Sequence, residues 1–302
     1  DDNQGSTDGE GTKYTVGICQ LVQHEALDAA TQGFIDALNE ALPGQVKIEE
    51  KNASGDSNSC ATIVNGFVSE GVDLIMANAT AALQAAASAT SDIPVLGTSI
   101  TAYGVALDID DFSGTVGGNV SGTSDLADLS KQADMITEWF PETQKVGLLF
   151  CSAEPNSRYQ IDEVRKALEA QGVTCEEFAF TDSNDVSSVA QKAADFSDVV
   201  YIPTDNTAAS NTEAIANVLI PAGVPAICGE EGLCRGCGVA TLSISYYDLG
   251  VTTGKMAAKI LKGEANISEM PVEYTDATPK YNASICDQLG ITPLDGYEAI
   301  DG

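Results

Sequence analysis

The chain is built from two halves that repeat one order of segments: an apolar strand, a polar tip and a helix. Three pairs of segments match between the halves, namely 16–21 with 146–151, 73–80 with 198–205, and 93–97 with 224–229. The paired segments lie 125 to 131 residues apart, and a nearly constant offset is typical of an internal repeat. Because strands alternate with helices, parallel sheets are expected. The sequence therefore predicts two similar α/β lobes.

The order of the remaining segments predicts how the lobes are joined. The amphipathic segment 246–261 follows the last strand of the second half and returns to the first lobe, after which 272–281 crosses again. Three crossings predict a hinge with a cleft between two Rossmann-like lobes with parallel sheets. The predicted division is a polar tether at 1–12, lobe one at 13–123 plus 246–273, and lobe two at 124–245 plus 274–302.

A strand that ends at a carboxylate marks the second lobe. Residues 198–202 are a short β-branched and aromatic run, and Pro203 cannot donate to a sheet. Asp205 can cap the helix predicted at 208–219. Since ligands of open α/β sheets bind at the carboxyl ends of strands, Asp205 is the first candidate for a ligand contact.

Acidic residues greatly outnumber basic ones, with 45 Asp and Glu against 14 Lys and Arg and a formal charge of −31. Nucleic acids and anionic membranes need a basic surface, so neither is an expected partner. Acidity also keeps an exported protein soluble, which explains most of the charge. The polar segment 1–12 fits an exported protein that has lost its targeting segment, although an arbitrary start would look the same. No apolar run approaches the roughly 18 residues of a membrane span.

The eight cysteines do not have the pattern of a disulfide scaffold in a chain of 302 residues. The only suggestive spacing is Cys228, Cys234 and Cys237. Free or locally paired thiols rank first, a disulfide among these three second, and a metal site last. Zinc needs four ligands, and the single histidine, His24, is distant in sequence. No cofactor is expected.

The polar side chains at the predicted strand tips offer many hydrogen bonds and few cations. With Ser152 and Glu230 set aside, the candidate ligand contacts are Gln23, His24, Asn78, Thr80, Thr98, Ser99, Asn156, Ser157, Asp205, Asn206 and Glu231. Asp205 suits an ammonium group, whereas the helix starts around Thr80 and around Asn156 and Ser157 suit a carboxylate. Together they favour a zwitterion, which a strongly negative protein does not repel. Taken singly, each is also an ordinary helix cap.

Catalytic patterns are missing from the sequence. The chain has one histidine and no Gly-x-Ser-x-Gly elbow, so the nucleophile and base of a covalent hydrolase cannot be assembled from it. An enzyme is the least favoured class.

A set of short motifs runs in order through the chain: 16–28, Gly33-Phe34, 52–56, 73–75, Ala79-Thr80, 118–125, 154–157, 203–206, 246–250 and 260–263. As an ordered set these motifs resemble the solute-binding proteins of ABC transporters related to the tryptophan- and tyrosine-binding lipoproteins of Firmicutes. The resemblance covers nearly everything from Tyr14 to Ile300. One departure is Ser99-Ile-Thr-Ala102, where the family usually has Thr-Asp-Pro.

The resemblance implies a type I periplasmic-binding fold that closes by a hinge on an aromatic amino acid, Trp, Tyr or Phe. It also implies a lipid anchor upstream of residue 1, a place on the outer face of the cytoplasmic membrane and delivery to an ABC permease. We expect a monomer. Candidate aromatic walls are Tyr103, Phe112, Tyr159 and Tyr201. The alternatives are a nucleoside or sugar receptor of the same fold and the sensor ectodomain of a signalling protein.

Overall fold

The computed structural model describes residues 11–301, and its strands form two separate sheets, one in each lobe. The predicted tether lies almost entirely outside these residues. The strands are β1 (Tyr14–Gln20), β2 (Val46–Asn52), β3 (Leu74–Asn78), β4 (Val95–Ile100), β5 (Val120–Ser124), β6 (Lys145–Cys151), β7 (Thr174–Phe180), β8 (Val199–Ile202), β9 (Ala226–Cys228), β10 (Ala240–Ile244), β11 (Glu273–Tyr274), β12 (Ala277–Tyr281) and β13 (Glu298–Ala299).

Helices follow most of the strands, as the repeated pattern predicts. They are α1 (Glu25–Ala41), α2 (Ser57–Glu70), α3 (Thr80–Ala89), α4 (Tyr103–Ala106), α5 (Leu129–Trp139), α6 (Pro155–Ala170), α7 (Val186–Phe196), α8 (Asn206–Ala209), α9 (Thr212–Leu219), α10 (Glu231–Cys237), α11 (Tyr246–Leu261) and α12 (Ala283–Leu289), with a 3-10 turn at Ile267–Glu269.

The first sheet has the order β2-β1-β3-β4-β5-β11 with parallel pairs throughout, and the second has the order β7-β6-β8-β9-β10-β12-β13. In the second sheet β12 runs antiparallel to β10, and the start of β12 at Ala277 pairs with the end of β10 at Ile244. The chain enters β12 from the cleft, where the parallel strands end, so β12 must run back in the opposite direction. Apart from β12 and its parallel neighbour β13, the strands are parallel, and the predicted α/β class with two parallel-sheet lobes is confirmed.

Three connections join the lobes, as predicted. The chain crosses after β5, between β10 and α11, and between β11 and β12. Ser124 and Tyr274 lie on the first sheet, each one residue beyond the predicted boundary of lobe one. The crossings leave from the ends of β5, β10 and β11, on one side of each sheet, and connect the two lobes beside the cleft.

Each sheet is covered by helices on both faces, which fixes the strand tips in place. In lobe one, Phe67 and Leu83 pack on one face of the sheet, and Phe34 and Met256 pack on the other. In lobe two, two further clusters do the same, one around Trp139 and one around Phe180. In both lobes the strand tips therefore extend from a sheet whose two faces are covered by packed cores.

The single helix predicted at 208–219 is wrong, because the structure has two helices, α8 and α9, separated by Ser210 and Asn211. The carbonyl of Thr207 accepts from the side chains of Ser210 at 3.0 Å and Asn211 at 2.7 Å. Side chains of this kind compete with the backbone for helical hydrogen bonds. The break leaves α8 as a short turn beside the cleft.

All eight cysteines are free thiols in the structure, and seven of them are buried. Cys228, Cys234 and Cys237 pack in one apolar cluster of lobe two. No group of metal-ligating side chains occurs within residues 11–301. Among the helices of the same residues, none combines the length and the apolar character that a membrane span requires.

Candidate ligand-binding site

A cavity lies between the lobes where the strand tips of both sheets meet. The residues that line it come from both lobes and from the crossings: His24, Ala26, Leu27, Ser99, Thr101, Asp125, Asn156, Thr204, Asp205, Asn206, Ala209, Glu230 and Tyr246. Polar tips of parallel strands converge here, as expected for an open α/β sheet.

Five of the residues predicted from the strand tips line this cavity: His24, Ser99, Asn156, Asp205 and Asn206. The other six do not. Gln23 is exposed, and Glu231 is paired with Arg235 and Lys280 at 2.8 and 2.9 Å. Asn78, Thr80, Thr98 and Ser157 are buried behind the cavity wall.

Three of these four buried residues have a hydrogen-bond partner or a defined helical position within lobe one. Asn78 donates to the carbonyl of Leu27 at 2.9 Å, and the Thr98 hydroxyl contacts the Thr123 hydroxyl at 3.1 Å. Thr80 is the first residue of α3, so the capping role predicted for it is wrong. The N-cap is Ala79, which has a φ of 93° and no capping side chain.

Asp205 is almost completely buried and acts as a local organiser of lobe two. Its Oδ2 accepts from the Cys151 N–H at 2.7 Å and from the Ser157 hydroxyl at 2.6 Å. Its Oδ1 accepts from the Ala208 N–H at 2.8 Å, which caps α8. Since a carboxylate oxygen has two lone pairs, Oδ1 retains one for a further donor. The Ser157 hydroxyl is used by Asp205 and is not free for a ligand.

Glu154 holds the neighbouring helix start in place. Its Oε1 accepts from the backbone N–H of Asn206 at 3.0 Å and from its Nδ2 at 2.8 Å. Its Oε2 accepts from the N–H and the hydroxyl of Thr207, both at 2.9 Å. Sequence reasoning missed this role. The pairing joins residues 52 and 53 positions apart, and no local pattern signals it.

Two more carboxylates line the cavity. Asp125 accepts from the hydroxyl of Thr101 at 3.0 Å and from that of Tyr246 at 2.8 Å. Glu230 caps α10 by accepting from the N–H groups of Gly232 at 2.7 Å and Leu233 at 2.6 Å. Both follow strand ends in the sequence, but neither is among the predicted ligand contacts.

The cavity is therefore acidic and has no cation in its wall. Asp125, Asp205 and Glu230 all line it, whereas none of the lining residues is Lys or Arg. Arg158 pairs with Glu177 at 2.8 Å and Arg235 with Glu25 at 3.0 Å, both outside the lining. An acidic, cation-free wall favours a ligand that brings its own positive charge.

Burial governs the protonation of these carboxyl groups. Removal from water raises the pKa of Asp125 and of Asp205, and in Asp205 the negative charge of Glu154 raises the pKa further. Burial also raises the pKa of Glu230 to about 7. In each case hydrogen bonds to the ionised form oppose the shift. A cation in the cavity would favour the ionised forms.

Lobe one presents polar groups that have no partner within the described residues. The Ser99 hydroxyl and the Nδ1 atom of His24 are buried and make no hydrogen bond. Ser99 lies at an irregularity in the pairing of β4 with β5 and has a φ of 58°, a conformation that non-glycine residues adopt rarely. Irregularities in strand pairing are common next to functional sites, where they change the direction in which a side chain points.

The aromatic wall differs from the sequence expectation. Tyr246 is the aromatic residue that lines the cavity, and none of the four candidates from the sequence does. Tyr201 and Tyr103 are core residues whose hydroxyls donate to Gln132 at 2.5 Å and to the Thr123 carbonyl at 3.0 Å. Phe112 stacks on Tyr103 with ring centroids 6.3 Å apart. Alternation alone does not tell a cavity-facing aromatic residue from one in the core.

The lobes touch across the cleft. His24 Nε2, just before α1 of lobe one, lies 2.9 Å from Asn206 Oδ1 at the start of α8 in lobe two. Two rigid lobes, three crossings and an acidic cavity closed over by side chains of both lobes define a two-lobed ligand-binding protein.

Comparison with known proteins identifies the family. The profile of ABC transporter substrate binding proteins matches residues 15–296. The chain belongs to this family, which is a solute-binding and not a catalytic one. ABC substrate-binding proteins work outside the cytoplasm together with an ABC permease.

Three relatives are similar over most of their length. A tyrosine-binding protein of Clostridioides difficile (strain R20291) is 32% identical over 289 residues, which are 91% of this chain and 82% of that protein. The ABC domain in complex with L-Trp from Streptococcus pneumonia is 32% identical with a TM-score of 0.90, covering 96% of this chain and 100% of that one. The ligand-free, open structure of a substrate-binding protein with adhesive properties from Clostridium difficile is 32% identical with a TM-score of 0.72, covering 95% and 99%.

The two solved structures have the same identity to this chain but different TM-scores. The higher score belongs to the complex with L-Trp, and the lower score to the ligand-free, open structure. In this structure the lobes are in contact through His24 and Asn206.

Proposed function

We propose that this protein binds an aromatic amino acid as a zwitterion between its lobes and delivers it to an ABC permease. The observation that carries the proposal is the cavity wall with Asp125, Asp205 and Glu230 and no cation. These carboxylates accept hydrogen bonds but are buried without a cationic partner, which is costly, and an ammonium group from the ligand would offset that cost. Similarity to a tyrosine-binding protein and to a domain in complex with L-Trp supports the ligand class.

The ammonium end of the ligand is assigned to lobe two and its crossing. Asp205 is the principal partner, because it lines the cavity and its Oδ1 carries only the hydrogen bond from Ala208. Glu230 and Asp125 complete the acidic wall. A charge-assisted hydrogen bond to an ionised group is typically worth about 1.5–3 kcal/mol.

The carboxylate end is assigned chiefly to lobe one. The unpartnered Ser99 hydroxyl can donate to it. The first turn of α1 has no capping side chain, and Ala26 and Leu27 of that turn line the cavity, so their N–H groups can donate as well. Asn156 keeps its proposed contact, because its Nδ2 makes only long hydrogen bonds of 3.3 and 3.4 Å. Ser99 and the N-terminus of α1 are therefore proposed to bind the carboxylate in place of Thr80 and Ser157.

The ring of the ligand would pack against the apolar part of the wall. Tyr246, Leu27, Ala26 and Ala209 supply that surface. An aromatic pair is worth about 0.5–1.5 kcal/mol beyond its buried area, so Tyr246 favours an aromatic side chain over an aliphatic one.

The proposal also covers the oligomeric state and the cellular location of the protein. We expect it to act as a monomer without catalytic activity, held at the outer face of the cytoplasmic membrane by a lipid anchor upstream of residue 1. The support is the resemblance to the aromatic amino-acid-binding lipoproteins. No observation favours the nucleoside, sugar or sensor alternatives.

A thermal-shift panel tests the ligand class. Protein stripped of carried-over ligand by partial unfolding is heated with each of the twenty L-amino acids, with nucleosides and sugars as controls. We expect a rise in melting temperature confined to Trp, Tyr or Phe that grows with concentration, since a ligand that binds only the folded state stabilises it. A shift from a nucleoside or sugar, or no shift at all, would contradict the proposal.

A further inference from the structure

The only histidine of the chain lies where the two lobes meet. His24 Nε2 is 2.9 Å from Asn206 Oδ1. His24 immediately precedes α1 in lobe one, and Asn206 is the first residue of α8 in lobe two. This side-chain hydrogen bond spans the cleft at the cavity, and the ion pair of Arg235 with Glu25 spans it outside the cavity lining.

The surroundings of Asn206 determine which ring nitrogen carries the proton. Asn206 donates through Nδ2 to Glu154 Oε1 at 2.8 Å, and the same carboxylate receives three further donors from Asn206 and Thr207. A carboxylate surrounded by four donors is an acceptor, so Asn206 must turn its Oδ1 towards His24. Nε2 of His24 is then the donor. Burial lowers the pKa of His24, which keeps the ring neutral, so Nδ1 is left as an acceptor.

That acceptor has nothing to accept from within residues 11–301. His24 Nδ1 is buried without a hydrogen-bond partner, and His24 lines the cavity. A buried polar atom without a partner is unfavourable, and in native structures such atoms call for an explanation. The rest of the polar wall holds the carboxylates of Asp125, Asp205 and Glu230. His24 Nδ1 is without a donor and the three carboxylates have no Lys or Arg beside them in the lining, so a cationic donor fits these groups best.

We propose that the ammonium group of the bound amino acid donates a hydrogen bond to Nδ1 of His24, while Nε2–H of the same ring holds the lobes together through Asn206. This inference rests on the proposed function. Hydrogen bonds in series polarise one another, so a donor at Nδ1 makes Nε2–H a stronger donor to Asn206. One imidazole ring thus couples the presence of the ligand to closure, because the ligand gains a contact only in the closed arrangement.

The single histidine makes the first test direct. Protein labelled with ¹⁵N-histidine gives one imidazole, whose two nitrogens are read by long-range ¹H–¹⁵N correlation. In the complex with L-tryptophan or L-tyrosine we expect the tautomer protonated at Nε2, with the Nδ1 resonance shifted on saturation in the direction of an accepted hydrogen bond. A tautomer protonated at Nδ1, or an Nδ1 resonance that saturation leaves unchanged, would overturn the inference.

Two matched variants separate the two nitrogens. His24→Gln keeps an N–H group near the position of Nε2 and has no acceptor at the position of Nδ1, whereas His24→Asn keeps an acceptor near the position of Nδ1 and cannot reach Asn206. Each is titrated with L-tryptophan and with its deamino analogue, indole-3-propionate. We expect His24→Gln to lose about tenfold to a hundredfold in affinity for tryptophan and to bind the deamino analogue nearly as well as the wild type.

His24→Asn should weaken both ligands by similar factors, because it loses the hydrogen bond to Asn206 in the other lobe and keeps the acceptor. If His24→Gln weakens tryptophan and indole-3-propionate equally, Nδ1 does not contact the ammonium group and the inference fails. The proposed function then survives, since the wild type still binds the amino acid. If the wild type binds neither Trp, Tyr nor Phe, the proposed function and the inference fail together.

Discussion

Replacing Asp205 by Asn is expected to weaken binding of the aromatic amino acid by about tenfold to a hundredfold, which corresponds to the roughly 1.5–3 kcal/mol of a charge-assisted hydrogen bond. The substitution removes the negative charge that faces the ammonium group and keeps the shape of the side chain. Titration calorimetry on ligand-stripped protein measures the change. A variant that binds as tightly as the wild type would remove Asp205 from the binding site.

The same substitution also has a cost in stability, so a control is needed. Asp205 accepts from Cys151, Ser157 and Ala208, and an amide cannot accept from donors on both sides. Removal of the carboxylate therefore also affects folding. We expect the free energy of unfolding to fall by about 1–3 kcal/mol, the cost of a buried donor left unsatisfied.

Asp198→Asn is the matched control. Asp198 Oδ2 accepts from the N–H groups of Gln144 and Lys145, both at 2.9 Å, and Asp198 is exposed at the far end of β8. Like Asp205, Asp198 accepts hydrogen bonds from backbone N–H groups, but it does not line the cavity. Urea unfolding of both variants should show losses of stability, whereas only Asp205→Asn should lose affinity.

Replacing Gly250 by Ala is expected to destabilise the protein by at least about 2 kcal/mol, because the backbone of α1 occupies the space that a Cβ needs. A Cβ at Gly250 would lie 2.0 Å from the Ala30 carbonyl oxygen. One at Gly33 would lie 2.1 Å from the Tyr247 carbonyl oxygen, so α1 and α11 meet through glycines on both sides. Urea unfolding measures the loss.

Gly66→Ala in α2 is the control for the change in helix propensity. A Cβ at Gly66 meets nothing within 4 Å, so the substitution should stabilise the protein by up to about 1 kcal/mol. Both variants replace a helical glycine by alanine, but their changes in the free energy of unfolding are expected to have opposite signs. If Gly250→Ala is as stable as Gly66→Ala, the backbones of α1 and α11 are not in close contact at Gly250.

The effect of Gly250→Ala should reach the ligand site. α11 begins at Tyr246, which lines the cavity and donates to Asp125. α1 follows His24, which also lines the cavity. Pushing the two helices apart would displace both side chains, so a loss of ligand affinity should accompany the loss of stability.

The repeat in the sequence predicts the fold well, because each apolar strand, polar strand tip and helix has its own local sequence pattern. The internal repeat gives two lobes, and the strand-tip rule leads to His24, Ser99, Asn156, Asp205 and Asn206. These five line the cavity. The antiparallel β12 departs from the predicted pattern because its direction follows from where the chain enters lobe two.

What the sequence could not supply are contacts between distant residues. Ser157 is a polar residue at a helix start, and only the structure shows that its hydroxyl is used by Asp205, 48 residues away. Asp125 and Tyr246 are 121 residues apart and meet because two crossings lie side by side. Their roles depend on tertiary pairing, for which a single sequence carries no periodic signal.

Titration of ligand-stripped protein with an amino acid and its two truncated forms tests the zwitterion site most directly. For tyrosine, the pair is 3-(4-hydroxyphenyl)propionate, which lacks the ammonium group, and tyramine, which lacks the carboxylate; tryptophan has the corresponding pair. The account predicts that the amino acid binds and that each truncated form binds at least about tenfold more weakly, because one charged end loses its partners. Tyramine or the propionate binding as tightly as tyrosine, or no binding of any amino acid in the set, would contradict it.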